Sequence, residues 1–378
     1  MDIASFVSNG SHGPVTLLEI HPQLAVAYVT VLGVAAFVGT AGNLLLLTTI
    51  LLASRGSHGK PLHGVVFIVN LVCSDLIVTA VINPFAIIGA VRGVTFFDNF
   101  PGLCRVLGSA CIISCCTSLL CIGCISLNRY VFICRQWAYK RLYSRFNCST
   151  MCVGTWVLGI LLDLPSHAGW SRHGYDIKSS KCLFDRTYSY SYTAFLSIFG
   201  VYFPLLLIAS CYVAIVVHVS RAQLRLCAAM GYKPSAFRKM LRQGKVIFAI
   251  FVVFAVCWLP YATVILMDHN DTFPMTAHVI TSLVAHLHAS VNFAIYGVAN
   301  RNVRAAYIRL VLGGAGVKRR AAVEGVDRTV TRTRACSSDE TDGIDRIFDQ
   351  ATLGLLDDRP PSDGTNAETC SMVYESAI

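Results

Sequence analysis

The chain has 378 residues, of which 54% are hydrophobic and only 14% charged, with a formal net charge of +10 and a mean hydropathy of +0.59. Soluble domains carry about a quarter charged residues, so a soluble globule of this length is excluded: it could not cover itself. Nor does the positive balance mark a nucleic-acid binder, because the bases collect in short loops between apolar runs.

About 20 mainly apolar residues cross the hydrocarbon of a bilayer. In chain order such runs are Leu24–Leu52, Val65–Ala90, Leu103–Cys134, Met151–Pro165, Tyr192–Val219, Val246–Met267 and Met275–Ala299. Backbone polar groups in lipid must be satisfied within the segment, so all seven are expected to be helices. The expected fold is an all-α membrane protein, a seven-transmembrane-helix bundle over residues 24–299.

Lysine and arginine in the short loops set the orientation. The loop after the third span holds Arg129, Arg135, Lys140, Arg141 and Arg145 without an acid, and the loop after the fifth is basic from Arg221 to Lys245. Both are expected inside. The loop after the sixth span has Asp268 and Asp271 and no base, and is expected outside with the tail 1–23. The loop after the fourth dissents mildly, with Arg172, Lys178, Lys181 and Arg186 against Asp176 and Asp185. The first 23 residues lack a basic stretch ahead of an apolar core, so the first span is expected to be its own insertion signal.

Of sixteen cysteines, only Cys104 and Cys182 fall on the expected oxidising side, which makes one expected disulfide. Three Asn-x-Ser/Thr sequons occur. Asn147 is placed inside and Asn270 close to the bilayer, which leaves Asn9 as the expected glycosylation site.

Beyond the seventh span, "NRNVRAAYIRLVL" (300–312) puts Val303, Ala306, Tyr307, Leu310 and Val311 on one face. A short amphipathic eighth helix on the inner membrane surface is expected there. Residues 313–378 follow as a cytoplasmic tail, and 335–378 hold ten acids against two arginines, a composition that favours disorder.

Acids inside a span are costly enough to point to function. Asp75 lies mid-span in "NLVCSDLIV", with Asn43, Ser118, His288 and Asn292 as candidate partners. Asp163, near the outer end of the fourth span, is either solvated or functional. In the sixth span, "CWLPY" (257–261) places Pro260 two residues after Trp258, where proline removes a backbone bond and kinks the helix.

Taken together, Gly42-Asn43, Leu71, Asp75, Cys104, Asn128-Arg129-Tyr130, Trp156, Pro204, Tyr212, Cys257-Trp258-Leu259-Pro260, Asn292 and Tyr296 fall in order on seven spans. Over roughly 24–312 the chain resembles rhodopsin-like (class A) G-protein-coupled receptors. The resemblance implies a receptor and not an enzyme, in the plasma membrane with its N-terminus outside. A small-molecule ligand, a heterotrimeric G protein and arrestin are the implied partners. In such receptors the arginine after the third helix is held inward at rest and released when the sixth swings out. Here its neighbour is Asn128 where an aspartate is usual, and "RKMLRQGK" (238–245) contains no acid. The expectation is a softly held inactive state with basal signalling, switched by Asn128, Arg129, Tyr130, Tyr212 and Tyr296. Phe293 replaces the family's proline in the seventh span.

The runs "NRYVFICRQWAYKRLYS" and "NFAIYGVANRNVR" resemble melatonin receptors, while "GWSRHGYDIKSSKCLFD" resembles the neighbouring moody-type and medium-chain-fatty-acid-receptor-like orphans. By that resemblance coupling to an inhibitory G protein is expected. Residues expected to contact melatonin do not carry over: Gly200, Gly174 and Ser166 occupy those positions. An amine receptor would have an aspartate at Cys111, and a retinal protein a lysine at His286. The expected activation core is Asp75, Ser118, Trp258, Pro260, His288 and Asn292, and the expected pocket is Phe85, Cys111, Cys115, Tyr261 and His286, with Trp258 below. That mostly apolar set suits a small neutral or lipid-like ligand. Arg172 and Arg186 are the bases considered for attracting a carboxylate. No resident cofactor is expected, with an allosteric sodium ion at Asp75, Ser118 and Asn292 the one candidate. The C-terminal Ser376-Ala377-Ile378 is a candidate PDZ ligand. The alternatives are a melatonin-type indole receptor and, less favoured, a transporter, which would show pseudo-repeated halves.

Overall fold

The computed structural model describes residues 16–56, 65–100, 102–230 and 235–299. Asn9, the helix expected at 300–312, the acidic tail and the C-terminal tripeptide lie outside the described residues. Seven long helices make up the rest: α1 (Pro22–Gly56), α2 (Val65–Arg92), α3 (Leu103–Cys134), α4 (Arg145–His167), α5 (Tyr190–Ser197 and Phe203–Met230 through a π-helical turn), α6 (Ser235–Met267) and α7 (Met275–Ala299). Six are long and apolar enough to cross a membrane, and the seventh crossing is the apolar stretch Phe251–Met267 of α6. Large apolar side chains such as Phe37, Val106, Val153 and Leu206 face outward, as lipid in place of water allows.

α3 and α7 coincide with the expected spans. α4 starts six residues early because its start is set by a cap and not by hydropathy: Ser144 Oγ accepts the Asn147 N–H at 3.2 Å. The Asn147 side chain in turn donates to the carbonyls of Arg141 and Leu142. In the loop ahead of α4, Gln136–Leu142 forms a short helix.

Two helices carry a π-helical turn, each just ahead of a proline. In α2 it spans Val78–Ile82 and the Asn83 N–H reaches back to Val78 O; in α5 it spans Ile198–Tyr202 and the Phe203 N–H reaches Ile198 O. Pro84 and Pro204 have no N–H to continue the ladder, and an inserted residue re-forms it with longer bonds.

α1 and α7 approach through small residues. A Cβ on Gly42 would lie 2.5 Å from three ring atoms of Phe293, and one on Gly39 would lie 2.6 Å from Ser290 Oγ. Asn43 Nδ2 donates to Ala289 O at 2.9 Å and Ser290 Oγ to Ala35 O at 2.8 Å. Thus the phenylalanine that replaces the family's proline has a packing role, and α7 runs to Ala299 without a proline. Between α2 and α4, Trp156 Nε1 donates to Asn70 Oδ1 at 2.7 Å, and Asn70 Nδ2 donates to Thr155 Oγ1.

The end expected to face outward (the outer end) is closed by an antiparallel hairpin, β1 (His173–Asp176) and β2 (Lys181–Phe184), with Tyr175 opposite Cys182. The expected disulfide joins Cys182 to Cys104 at the top of α3. Tyr175 Oη donates to Gly89 O of α2 at 2.7 Å. Asp163 settles as a buried anchor: His173 Nε2 lies 3.0 Å from its Oδ1 and His167 Nε2 3.1 Å from its Oδ2.

Arg186 is no exposed cation. It is buried and bonds Asp268, at 3.2 Å, and Asp271. Lys178 Nζ donates to the carbonyls of Asp271 and Phe273, and His278 Nε2 lies 2.7 Å from Asp268 Oδ2. Burial works against a charged Asp268, but the Phe273 N–H, His278, Lys178 and the Thr272 N–H outweigh it and hold its carboxyl below the usual range. Arg172 pairs with Asp185 at 2.8 Å. These pairs account for most of the loop's dissenting bases.

Gly42→Ala is expected to lower thermal stability by about 1–3 kcal/mol, the usual cost of overpacking, with Phe293→Ala in the same chain restoring part of it; thermal unfolding of the purified receptor checks both. For Asp268, a carboxyl held low in the folded state stabilises at neutral pH and loses that contribution as pH falls through its folded pKa. The stability advantage of the wild type over Asp268→Asn, about 3 kcal/mol for a broken buried pair, should therefore hold from neutrality to about pH 5 and shrink below about pH 4. A pH series of unfolding midpoints reads it.

Candidate functional site

Beneath the hairpin lies a cavity of about 50 Å³. α3 supplies Cys111, Cys115 and Leu119, one helical turn apart and so on one face. β2 supplies Lys181, Leu183 and Phe184 from above; Gly200 and Val201 of the α5 π turn form a wall, and Trp258, Tyr261 and His286 complete it from α6 and α7. Four of the five expected pocket residues, Cys111, Cys115, Tyr261 and His286, therefore meet here with Trp258. Phe85 does not line the cavity; it is half-buried and packs against the main core. From the same turn of α2 it is Asn83, just past the π-helical stretch, that reaches His286.

His286 is the polar centre. Its Nδ1 lies 2.8 Å from Asn83 Oδ1 and its Nε2 2.7 Å from Lys181 Nζ. A carboxamide oxygen only accepts, so Nδ1 carries the proton and Nε2 accepts from the ammonium. Cys111 Sγ is 3.8 Å from the same Nε2. Lys181 is 3% exposed, and sequence reasoning missed it. It sits in a short loop segment among other bases, and only the disulfide at Cys182 beside it hints that it is carried inward.

Under the cavity floor, the Trp258 and His288 ring centroids are 5.2 Å apart, and Phe254 lies 5.3 Å from His288. His288 Nδ1 is 2.6 Å from Ala285 O, so it belongs with Trp258 and is not a partner of Asp75. Asp75 is held by two of its four candidates: Ser118 Oγ donates to Oδ1 at 3.0 Å and Asn292 Nδ2 to Oδ2 at 2.8 Å. Asn43 is turned to the α7 backbone instead. Asn292 Oδ1 is buried without a hydrogen-bond partner, so this cluster offers an uncommitted oxygen beside a carboxylate, a donor set that fits a small hard cation. Pro260 lies inside α6 between Trp258 and Tyr261, both of which line the cavity.

Toward the inner end of α3, Asn128 is buried, while Arg129 and Tyr130 are half-buried. Arg129 is engaged by its surroundings. Tyr212 packs its ring 5.1 Å from Phe248 of α6. Tyr296 belongs to α7, with its side chain outside the described residues.

Comparison with known proteins agrees with this arrangement. The model of the family described as 7 transmembrane receptor (rhodopsin family) matches residues 42–296. The chain is 29% identical to human melatonin receptor type 1B over 306 residues, 77% of this chain and 80% of that one. It is 29% identical to melatonin receptor type 1C of Xenopus laevis over 295 residues, 76% and 68% of the two chains. The G-protein coupled receptor moody of Drosophila melanogaster is 27% identical over 339 residues, 72% of this chain and 49% of its own. Seven helices, a disulfide-pinned lid over a cavity and a match through nearly the whole bundle lead to one conclusion: this chain belongs to the rhodopsin family of seven-transmembrane receptors, multi-pass proteins of the plasma membrane that answer small molecules through G proteins and catalyse no reaction.

Proposed function

We propose that this receptor transmits the binding of a small lipid-like or neutral ligand, taken up from the outer side, to an inhibitory-type G protein through movement of α6. The observation that carries the reading is the cavity itself: it is almost wholly apolar, lies under the hairpin and rests directly on Trp258. A ligand pressing on that ring acts on a helix whose backbone ladder lacks a donor at Pro260. The N-terminus is assigned outside from the loop charges, with Asn9 as its glycan site. Arrestin recruitment is assigned to the tail segment "CSSDET" (336–341), and Ser376-Ala377-Ile378 to a PDZ domain.

A melatonin-type indole receptor is the second reading, favoured by the relatives' identity. Against it, Gly200 backs onto Cys116 Sγ and Leu196, and Ser166 is spent on Asp163 O and His173. Neither offers a polar group to an indole.

Asp75, Ser118 and Asn292 are assigned a sodium ion that favours the resting state. Bound there, the ion would supply counter-charge to Asp75, while Ser118 and Asn292 orient the carboxylate between α3 and α7.

Two outcomes are expected. In membranes matched for surface level, Arg129→Ala should abolish basal and stimulated activation of the inhibitory-type partner, and Trp258→Ala should reduce the stimulated part. Persistence of both activities in Arg129→Ala would remove its switch role. Replacing choline by sodium should lower wild-type basal activity and leave Asp75→Asn unchanged; equal responses would remove the cation from Asp75.

A further inference from the structure

Lys181 stands out among the buried groups. Its ammonium is carried by β2 into the cavity lining, and it is almost fully buried. Among the described residues no carboxylate forms an ion pair with it. Asp176 lies across the strand pair, yet its carboxylate is directed to the Lys178 N–H and toward Arg186 Nε at 3.9 Å. The His286 lone pair satisfies one ammonium hydrogen, leaving two. The Tyr261 ring, 5.9 Å from Nζ, adds only a weak attraction.

Apart from the accepting His286 Nε2 and the Cys111 and Cys115 sulfurs, the unpartnered polar atoms nearby share one character. Trp258 Nε1, in the lining, is buried without a hydrogen-bond partner, and so is Asn83 Nδ2, one bond away through His286. Both only donate. A site with surplus donors, one positive charge and otherwise apolar walls asks for a compact group that only accepts. Burial also pulls the Lys181 pKa down, which the neighbouring Cys111, Cys115 and Asp176 only partly oppose, as for an ammonium short of full counter-charge.

We propose that Lys181 is the counter-ion for an acidic ligand, a monocarboxylic acid whose carboxylate bonds the Lys181 ammonium and whose apolar body lies against Leu119, Val201 and Trp258. This rests on the receptor reading above and replaces its neutral option. The 50 Å³ present accepts a head group and little more. Entry of the body therefore parts α5 from α6 at Val201 and Trp258, which ties charge recognition to helix movement. Arg172 and Arg186 are excluded as the counter-ion, because each is already committed to aspartates.

The test uses the full chain in nanodiscs, with octanoic acid and phenylbutyric acid, each beside its methyl ester, read by unfolding midpoint and by G-protein activation. Each acid should act on the wild type at a concentration about tenfold or more below its ester. Lys181→Gln should bring the acid down to the ester's level, while Lys181→Arg keeps the preference. Without any probe, Lys181→Met should raise the midpoint, because an apolar chain replaces a buried charge that lacks its partner. Four outcomes overturn the proposal: acid and ester acting alike, acid preference surviving in Lys181→Gln, no probe acting on the wild type, or a lowered midpoint in ligand-free Lys181→Met, which would make the ammonium a structural partner of His286. A neutral compound that activates through Trp258 would sink the acid and spare the receptor. Loss of all Arg129-dependent coupling would sink the receptor itself.

Discussion

Lipid gives these helices no apolar reason to associate, because the hydrocarbon around them is as apolar as their own side chains. What holds the bundle is close fit and a few buried polar bonds, each binding one helix to another. Gly39 and Gly42 let α1 lie against Ser290 and the Phe293 ring. Asn70 ties α2 to α4 through Trp156 and Thr155. Asp75 ties α2 to α3 and α7 through Ser118 and Asn292. Each bond is also a place where a small displacement is costly, and three helices meeting at one carboxylate make that level the natural pivot.

The outer end is governed by a different economy of charge. The hairpin is fixed to α3 by the Cys104–Cys182 disulfide, to α4 by Asp163 and to α2 by Tyr175. Arg186 and Lys178 then bind the acids after α6. Most of the loop's ions are thereby neutralised at the rim: the exposed Arg172–Asp185 pair contributes little, while Arg186 and Asp268 are buried and bound to each other. Lys181 is turned the other way, into the apolar interior. A rim that is charge-balanced leaves the cavity's positive field to one residue.

The seven spans, the disulfide and the Trp258-Pro260 neighbourhood were legible because hydropathy, topology and proline chemistry act locally. Asp75 was legible as a polar hub, since an acid in lipid must find partners, but its partners were only half so. Asn43 and His288 are near in span and wrong in direction, each bonded to a backbone carbonyl on α7. Lys181 and Arg186 were not separable in sequence: both are loop bases flanking Cys182, and only the hairpin's register decides which reaches acids and which reaches His286. The extra residue that the π-helical turn adds to α2 just before Asn83 was not legible at all, because hydropathy does not register it.

That extra residue reaches beyond one side chain. A π-helical turn at Val78–Ile82 and another at Ile198–Tyr202 each shift the phase of everything on their outer side. Within this family, positions counted from a landmark on the inner side of such a turn stop being equivalent in space wherever a relative lacks it. Gly200 lies inside one of these turns. Deleting a single residue from either would rotate the outer half of α2 or α5 by about 100°, carrying Asn83 away from His286 or displacing Val201 from the cavity wall. Ligand preference in such a bundle could therefore change through the length of a helix, with every lining residue kept.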